Sequence, residues 1–193
     1  PSDLLNQNLS ISLDAKNYKT NVDRSEILKA GRKRGVAEDA LQDLIQELKA
    51  ATGDVSSLPL TLNYAADIRR EWGKADWSLE YIINQPSGSD DGRLDYVKNA
   101  SGRDANWQWV AWRASASVAW QAQSGWSLSG RLRGQYSPDA LIAGEQFGLG
   151  GAQSVRGYNE REISGDSGYF GSVELWSKPY AEQFRFLVFR DFG

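Results

Sequence analysis

The sequence lacks cysteine, histidine and methionine. The absence of cysteine and histidine excludes disulfide frameworks, thiol nucleophiles, Ser-His-Asp triads and the usual zinc sites. Because there is no methionine, Pro1 is not a natural start, and we expect a fragment or a processed piece. No signal peptide is recognisable, and no apolar run reaches the length of about eighteen residues that a membrane helix requires. The net charge of -3 is too small to indicate a nucleic-acid partner.

The chain is instead rich in glycine and aromatic residues, with 19 Gly, 8 Trp and 8 Tyr. Residues 58–69 alternate strictly: each even position carries Leu, Tyr, Ala or Ile, and most odd positions are polar. A period of two residues over this length predicts a β-strand whose two faces differ. The same alternation predicts seven strands, within residues 9–16, 58–69, 77–84, 110–121, 126–136, 169–176 and 184–192.

The connections between these strands alternate in length. Short turns are predicted at 71–76, 122–125 and 178–183, whereas the connections at 20–56, 86–106 and 138–168 are long. Outer-membrane barrels have short turns at one end and long extracellular loops at the other. We therefore predict an all-β fold, an antiparallel transmembrane β-barrel of the outer membrane, of which this chain supplies about seven strands. Loops 20–56 and 86–106 are then extracellular.

The first long loop has a composition of its own. Helical spacing predicts one short helix over residues 36–51, with Gly53 placed to end it. The basic cluster at 29–34 is interpreted as part of a solvated loop, because acidic residues follow it. A contact of this cluster with lipopolysaccharide phosphates or with a partner stays open.

The two faces of the strands differ in chemistry. The apolar face, which we expect to contact lipid, includes Leu60, Leu62, Leu79, Tyr81, Leu128 and Leu132. Aromatic residues gather near the strand ends, as at a membrane interface: Tyr64, Trp72, Trp77, Trp107, Trp109, Trp120, Trp126 and Tyr136. The charges that we expect to face the lumen are Arg113, Arg131, Arg133 and Glu174. A soluble β-sandwich or lipocalin-like barrel would alternate in the same way, so this alternative stays open.

The connection 138–168 contains a glycine-rich motif around a single arginine. The tetrapeptide VRGY lies inside the longer block EQFGLGGAQSVRGYNERE, which is followed by GDSGY. This block resembles the two-partner secretion transporters, the haemolysin and filamentous-haemagglutinin secretion/activation proteins, within the BamA-like superfamily of polypeptide-transporting barrels. The residues that carry the motif are Gly150, Gly151, Val155, Arg156, Gly157 and Tyr158.

A second motif of that family stands at the end of the chain, where Phe189, Asp191 and Gly193 match the pattern F-x-D-x-G. The resemblance implies that loop 138–168 folds back into the barrel lumen and that Arg156 meets Asp191 there. Such a charge-assisted pair is stronger than an ordinary hydrogen bond. The resemblance also implies about sixteen strands, an even number as in other bacterial barrels. Residues 1–193 would then be the central part of the barrel domain, with the POTRA domains and the remaining strands absent.

The resemblance implies a function as well: an outer-membrane pore that translocates a large partner exoprotein, an adhesin or haemolysin, to the cell surface. No cofactor, metal or nucleic acid is implied. The expected partners are the exoprotein, outer-membrane lipid and lipopolysaccharide, and the complete barrel is expected to be monomeric. The alternatives are a BamA-type insertase and a passive diffusion porin. An enzyme is disfavoured, because the acidic pairs Asp90 with Asp91 and Glu160 with Glu162 have no base or nucleophile beside them in sequence.

Overall fold

The computed structural model of the chain describes residues 4–19, 24–51, 54–85, 92–181 and 184–193. Strands dominate these residues, as predicted. The strands are β1 (Leu4–Leu13), β2 (Lys16–Tyr18), β3 (Val55–Arg70), β4 (Gly73–Gln85), β5 (Val110–Gln121), β6 (Ser127–Tyr136), β7 (Phe147–Leu149), β8 (Ile163–Gly165), β9 (Gly168–Trp176) and β10 (Leu187–Phe192). The helices are α1 (Arg24–Lys33), α2 (Glu38–Ala51) and α3 (Arg93–Asn99).

The main strands form one antiparallel sheet in the order β1-β3-β4-β5-β6-β9-β10, and β2 pairs with the start of β3. Each strand of this series pairs with the next main strand along the chain, which is the meander of a barrel wall. The pairing of β3 with β4 runs from Leu58 opposite Gln85 to Arg70 opposite Gly73. The predicted all-β, antiparallel fold class is confirmed.

The register of the sheet separates an apolar face from a polar face. Across β3, β4, β5 and β6, one continuous row on the apolar face joins Leu62, Tyr81, Trp112 and Tyr136. The neighbouring row on the polar face joins Asn63, Glu80, Arg113 and Gln135. Because partners in a register point to the same side, the alternation seen in each strand adds up to two chemically distinct surfaces.

The apolar face is not covered by another layer of the described chain. Leu62 is 43 % exposed, Leu79 45 % and Leu132 49 %. Leu62 therefore does not lie in a closed apolar core, as it would in a β-sandwich. Aromatic residues flank this face at two levels. One row consists of Tyr81, Trp112 and Tyr136, and at the other level Trp120 and Trp126 lie beside the short turn between β5 and β6. An exposed apolar band between aromatic rows is typical of a lipid-facing surface.

The main apolar core of the described residues lies at the end of the sheet where the long connections meet. Tyr96 of α3 is fully buried there, and Trp109 is 1 % exposed. Trp107 packs against this core. The interpretation of Trp107 and Trp109 as membrane-interface residues is therefore wrong. Both residues precede β5, and they belong to the apolar core that the long connections form. The core residues are Val55, Ile82, Tyr96, Ala100, Ala105, Trp109, Ala111, Leu141 and Ile142.

Several predicted boundaries need correction. The first strand spans Leu4–Leu13 instead of 9–16, because Gln7 interrupts the alternation and is held on the apolar face by a hydrogen bond from the Tyr64 hydroxyl, 2.9 Å. The turn predicted at 71–76 consists of residues 71 and 72 alone. Asp76 already lies in β4, where it accepts a 2.7 Å hydrogen bond from Ser117 Oγ. The last strand begins at Leu187 and not at 184.

The prediction of a single helix is also wrong, since three are present among the described residues. The first, α1, covers most of the basic cluster 29–34 and packs on α2. Gly31 permits this contact, because a Cβ there would lie 2.3 Å from Leu41 Cδ2. Leu41 and Ile45 are each 3 % exposed. Gly53, placed as the stop of the helix, lies outside the described residues. Within those residues, no helix is long and apolar enough to span a membrane.

Candidate functional site: the loop on the polar face

The chain between β6 and β9 folds back over the polar face of the sheet. Its middle part is a small hairpin in which β7 pairs with β8, from Phe147 opposite Gly165 to Leu149 opposite Ile163. The tip follows directly. Gly150 has a φ of +106°, and a Cβ there would lie 2.1 Å from the backbone oxygen of Asn159. The tight crossing of the two arms of the loop therefore requires glycine at this position.

Arg156 leaves the loop tip and reaches the end of the sheet. Its Nε atom lies 2.7 Å from Asp191 Oδ2, and its Nη2 atom lies 2.8 Å from Asp191 Oδ1. The backbone N–H of Arg156 also donates to Asp191 Oδ2, at 3.1 Å. Two parallel bonds from one guanidinium to one carboxylate fix both the distance and the orientation of the side chain. The contact expected between Arg156 and Asp191 is present.

Three further groups surround the guanidinium of Arg156. Nη1 donates to Glu174 Oε1 at 2.7 Å, and Nη2 donates to Ser172 Oγ at 3.2 Å. The ring of Phe189 lies against the guanidinium, with its centroid 3.6 Å from Cζ. The side chain of Asp191 is 5 % exposed and that of Arg156 is 25 % exposed. Arg156 therefore sits between two carboxylates, on an aromatic surface that favours a planar cation.

The register explains why these groups converge. Glu174 and Ser172 of β9 stand opposite Phe189 and Asp191 of β10, on the polar face. Sequence reasoning placed Glu174 on this face but did not predict its contact with Arg156. The alternation of the two strands contained that signal, because residues 172 and 174 share one face of β9, and residues 189 and 191 share the same face of β10.

The other predicted residues occupy the same region. Val155 and Tyr158 line a cavity with Arg156 and Phe189. Tyr158 is 60 % exposed, and its backbone oxygen accepts a hydrogen bond from Gly151 N–H at 3.1 Å. We predict that Gly157 and Tyr158 help to seat the tip against the wall. Of the remaining motif glycines, Gly151 lies in the tip, and Gly193 follows β10 and lines the same cavity as Arg156.

The predicted lumen-facing arginines lie on the polar face but differ in their contacts. Arg113 donates to Gln135 Oε1 at 2.7 Å and to Glu145 Oε2 at 2.8 Å. Arg133 lines the cavity between the loop and the sheet. The guanidinium of Arg131 lies 6.0 Å from the centroid of the Phe170 ring. These arginines give the space below the loop a positive character that the nearby carboxylates balance in part.

A second ionic cluster, centred on Glu145, was not predicted. The Glu145 side chain is 2 % exposed and accepts hydrogen bonds from Lys16 Nζ at 2.8 Å and from the Tyr18 hydroxyl at 2.5 Å, besides the bond from Arg113. Burial opposes ionisation of Glu145, but the hydrogen bonds from Lys16, Tyr18 and Arg113 outweigh it and hold the pKa of Glu145 below its ordinary value. The backbone oxygen of Glu145 accepts a further bond from Gln135 Nε2 at 3.0 Å.

Asp166 closes the base of the loop. Its Oδ1 atom accepts a 2.9 Å hydrogen bond from Leu141 N–H, and its carboxylate forms an ion pair with Arg103. Arg103 also donates to the backbone oxygen of Leu141, at 2.6 Å. The two ends of the loop are thereby joined to each other and to the neighbouring long connection.

The described residues offer no site for a metal, since no group of three His, Cys, Asp or Glu side chains converges among them. Glu162 is engaged with its own loop, where Oε2 accepts a 2.8 Å hydrogen bond from Asn159 N–H. Asp90 and Asp91 lie outside the described residues. The ion pairs of Arg156 with Asp191 and Glu174 can hold the loop between β6 and β9 against the polar face of the sheet.

Comparison with known proteins gives a consistent result. A family model described as haemolysin secretion/activation protein ShlB/FhaC/HecB matches residues 46–193. The chain is 37 % identical over 86 residues to an outer membrane transporter CdiB of Dickeya dadantii (strain 3937), covering 42 % of this chain and 15 % of that protein. It is 43 % identical over 63 residues to an outer membrane transporter CdiB of Escherichia coli O6:K15:H31 (strain 536 / UPEC), covering 31 % and 11 %. The matched segments thus span a small part of these relatives. No solved structure matches the chain.

Proposed function

Since the chain belongs to the family of haemolysin secretion/activation proteins, we propose that it forms part of the wall and the inner loop of a pore that exports one large partner exoprotein. The family is that of two-partner secretion transporters in the bacterial outer membrane. In this proposal residues 1–193 are the central part of the barrel domain. Loops 20–56 and 86–106 lie on the cell surface, and the loop 138–168 lies in the lumen. The cargo is an adhesin or a haemolysin.

The observation that carries the proposal is the contact of the loop with the polar face. The chain uses Arg156, Asp191 and Glu174 to hold this loop against its wall. A loop held by an ion pair at its tip has a closed state and, once the pair is broken, an open one. Export of a polypeptide needs both states: the open one lets the polypeptide pass, and the closed one, held by Arg156, keeps the tip in one defined position before passage.

The polar face supports the same proposal. Serines and other short polar side chains line it between the charged groups, as at Ser78, Ser115 and Ser117. Such a surface hydrogen-bonds to an unfolded chain without retaining any one sequence. The apolar face, with its exposed leucines and aromatic rows, suits the hydrocarbon of the membrane.

The full-length protein, purified and reconstituted into lipid vesicles, tests the proposal. With the cognate exoprotein outside, we expect protein-dependent transfer of the exoprotein into a protease-protected compartment. An unrelated unfolded polypeptide of similar length is the control, and its transfer should stay at the level of empty vesicles. Insertion of other barrel proteins into the vesicles, without transfer of the exoprotein, would favour the insertase alternative. Passage of small solutes alone would favour a porin.

A further inference from the structure

The polar contacts that hold the loop on the polar face lie at two places and differ in number. For this purpose the distal segment is the hairpin and tip from Phe147 to Gly165, and the base comprises residues 137–146 together with Asp166 and Ser167. The distal segment contacts the main sheet through polar groups at one point among the described residues, namely Arg156. Its other hydrogen bonds, such as Arg161 Nη2 to the backbone oxygens of Ala143 and Gln146, stay within the loop.

The base is attached by many bonds. Val110 N–H donates to Asp139 Oδ2 at 2.8 Å, and Ser137 Oγ donates to Val110 O at 2.7 Å. Gln135 Nε2 donates to the backbone oxygen of Asp166 at 3.0 Å. These contacts all involve the start of β5 and the adjacent end of β6, and the loop emerges from β6.

Glu145 adds a contact of a different kind, because it reaches strand β2, which β3 and β4 separate from β5. Lys16 and Tyr18 belong to β2, which pairs with the start of β3, whereas Arg113 belongs to β5. The carboxylate of Glu145 therefore ties β2 to β5 across the ends of β3 and β4. Gly144 makes room for this approach, because a Cβ there would lie 2.0 Å from the ring of Tyr18.

We propose that Glu145 is a positioning residue that fixes the base of the loop, so that breaking the Arg156 contact releases the distal segment alone. The inference rests on the proposed function, since it describes how the inner loop opens. The loop then acts as a hinged flap. Its base stays on the wall, held by a buried carboxylate between Lys16 and Arg113, while its tip leaves Asp191 and Glu174.

Spin labels can test this directly, because the chain contains no cysteine. One label at Ser124, on a short turn, serves as the reference. The second is placed at exposed Gln153 in the distal segment or at exposed Ala143 in the base. Pulsed electron-electron double resonance on the membrane-inserted protein then gives the distance distribution for each label pair.

We expect R156A to broaden the distribution from Gln153 severalfold in width and to leave that from Ala143 unchanged. E145Q should broaden the distribution from Ala143. The matched control is E160Q, which removes an exposed carboxylate of the same loop and should change neither distribution. If E145Q does not insert into the membrane, K16Q removes one of the three donors and should give a smaller broadening at Ala143.

Equal broadening at both positions in R156A would overturn the inference, because the loop would then move as one body. An unchanged distribution at Ala143 in E145Q and K16Q would also overturn it. The distances are independent of transport. A protein that shows the expected distances but exports no exoprotein would contradict the proposed function and leave the hinge standing.

Discussion

Replacing Arg156 by alanine removes the contact that holds the loop tip. The change deletes the two bonds to Asp191, the bond to Glu174 and the stacking on Phe189. It leaves the strands untouched, so insertion into the membrane should be nearly normal. The Asp191 side chain, which is 5 % exposed, keeps the backbone N–H of residue 156 but loses its guanidinium partner, which penalises the closed loop.

The size of the effect follows from the kind of bond. A hydrogen bond to a charged group contributes about 1–3 kcal/mol, and water on the polar face screens the pair, so we assign this range to the whole contact. The equilibrium constant for opening of the tip should therefore rise about 5–150-fold. Export of the exoprotein should fall sharply, because an open tip no longer occupies one defined position in the pore.

A double-mutant cycle separates the contact from its surroundings. Asp191→Ala should reproduce much of the effect of Arg156→Ala, and the double variant should be little worse than Arg156→Ala alone. Arg156→Lys is the matched control for charge. A lysine keeps the positive charge but cannot form the bidentate contact and stacks less well, so its defect should be intermediate. The closed fraction from the label pair at Ser124 and Gln153 and the amount of exported exoprotein are the readouts. Fully additive defects of the Arg156 and Asp191 variants would refute the reasoning.

Three further predictions concern other parts of the molecule. Leu132→Arg, between the two aromatic levels of the apolar face, should destabilise the inserted protein by about 2–4 kcal/mol, whereas Thr61→Arg on the polar face should cost little; equal losses in urea unfolding from vesicles would contradict the assigned faces. Trypsin added to intact cells should cleave after exposed Arg34, between α1 and α2, and should spare Lys74 beside the turn at 71 and 72; the reverse pattern would invert the topology. Because the pKa of Glu145 is lowered in the folded protein, its ionised form stabilises the base of the loop above the ordinary carboxyl pKa of about 4.3, and this stabilisation is lost as the pH falls through the lower folded value. The base of the loop should therefore loosen in acid in the parent protein. A Glu145→Gln variant with the same acid response would refute the assignment.

The sheet and its two faces were predictable because alternation is a local signal that each strand carries by itself. The approach of Arg156 to Asp191 was predictable for a different reason, since the family motifs carried both residues and the parity of β10 placed Asp191 on the polar face. The family block begins at Glu145, but neither source of information indicated its contacts with Lys16, Tyr18 and Arg113. Glu145 lies in a loop, where periodicity says nothing, and its partner Lys16 is 129 residues away.

The loop core and the extra helices escaped prediction for related reasons. Trp109 stands near a strand end, where sequence position alone does not distinguish a membrane interface from a core formed by long connections. The segment of α1 was interpreted from its charges, although its packing depends on Gly31 and on Leu41 of the next helix. In each case a contact between separate segments decided the structure, and short-range patterns do not record such contacts.

The central claim is that an exoprotein passes along the polar face beneath the loop, and photo-crosslinking of a stalled exoprotein tests it most directly. A photoreactive amino acid is placed at Ser115 or at Ala116, neighbours on one strand that belong to the polar and the apolar face respectively. Ser115 lines the cavity between the loop and the sheet. The account predicts an adduct between the exoprotein and position 115 and none at position 116. An adduct at position 116 alone, or none at position 115 while the exoprotein is stalled in the pore, would contradict it.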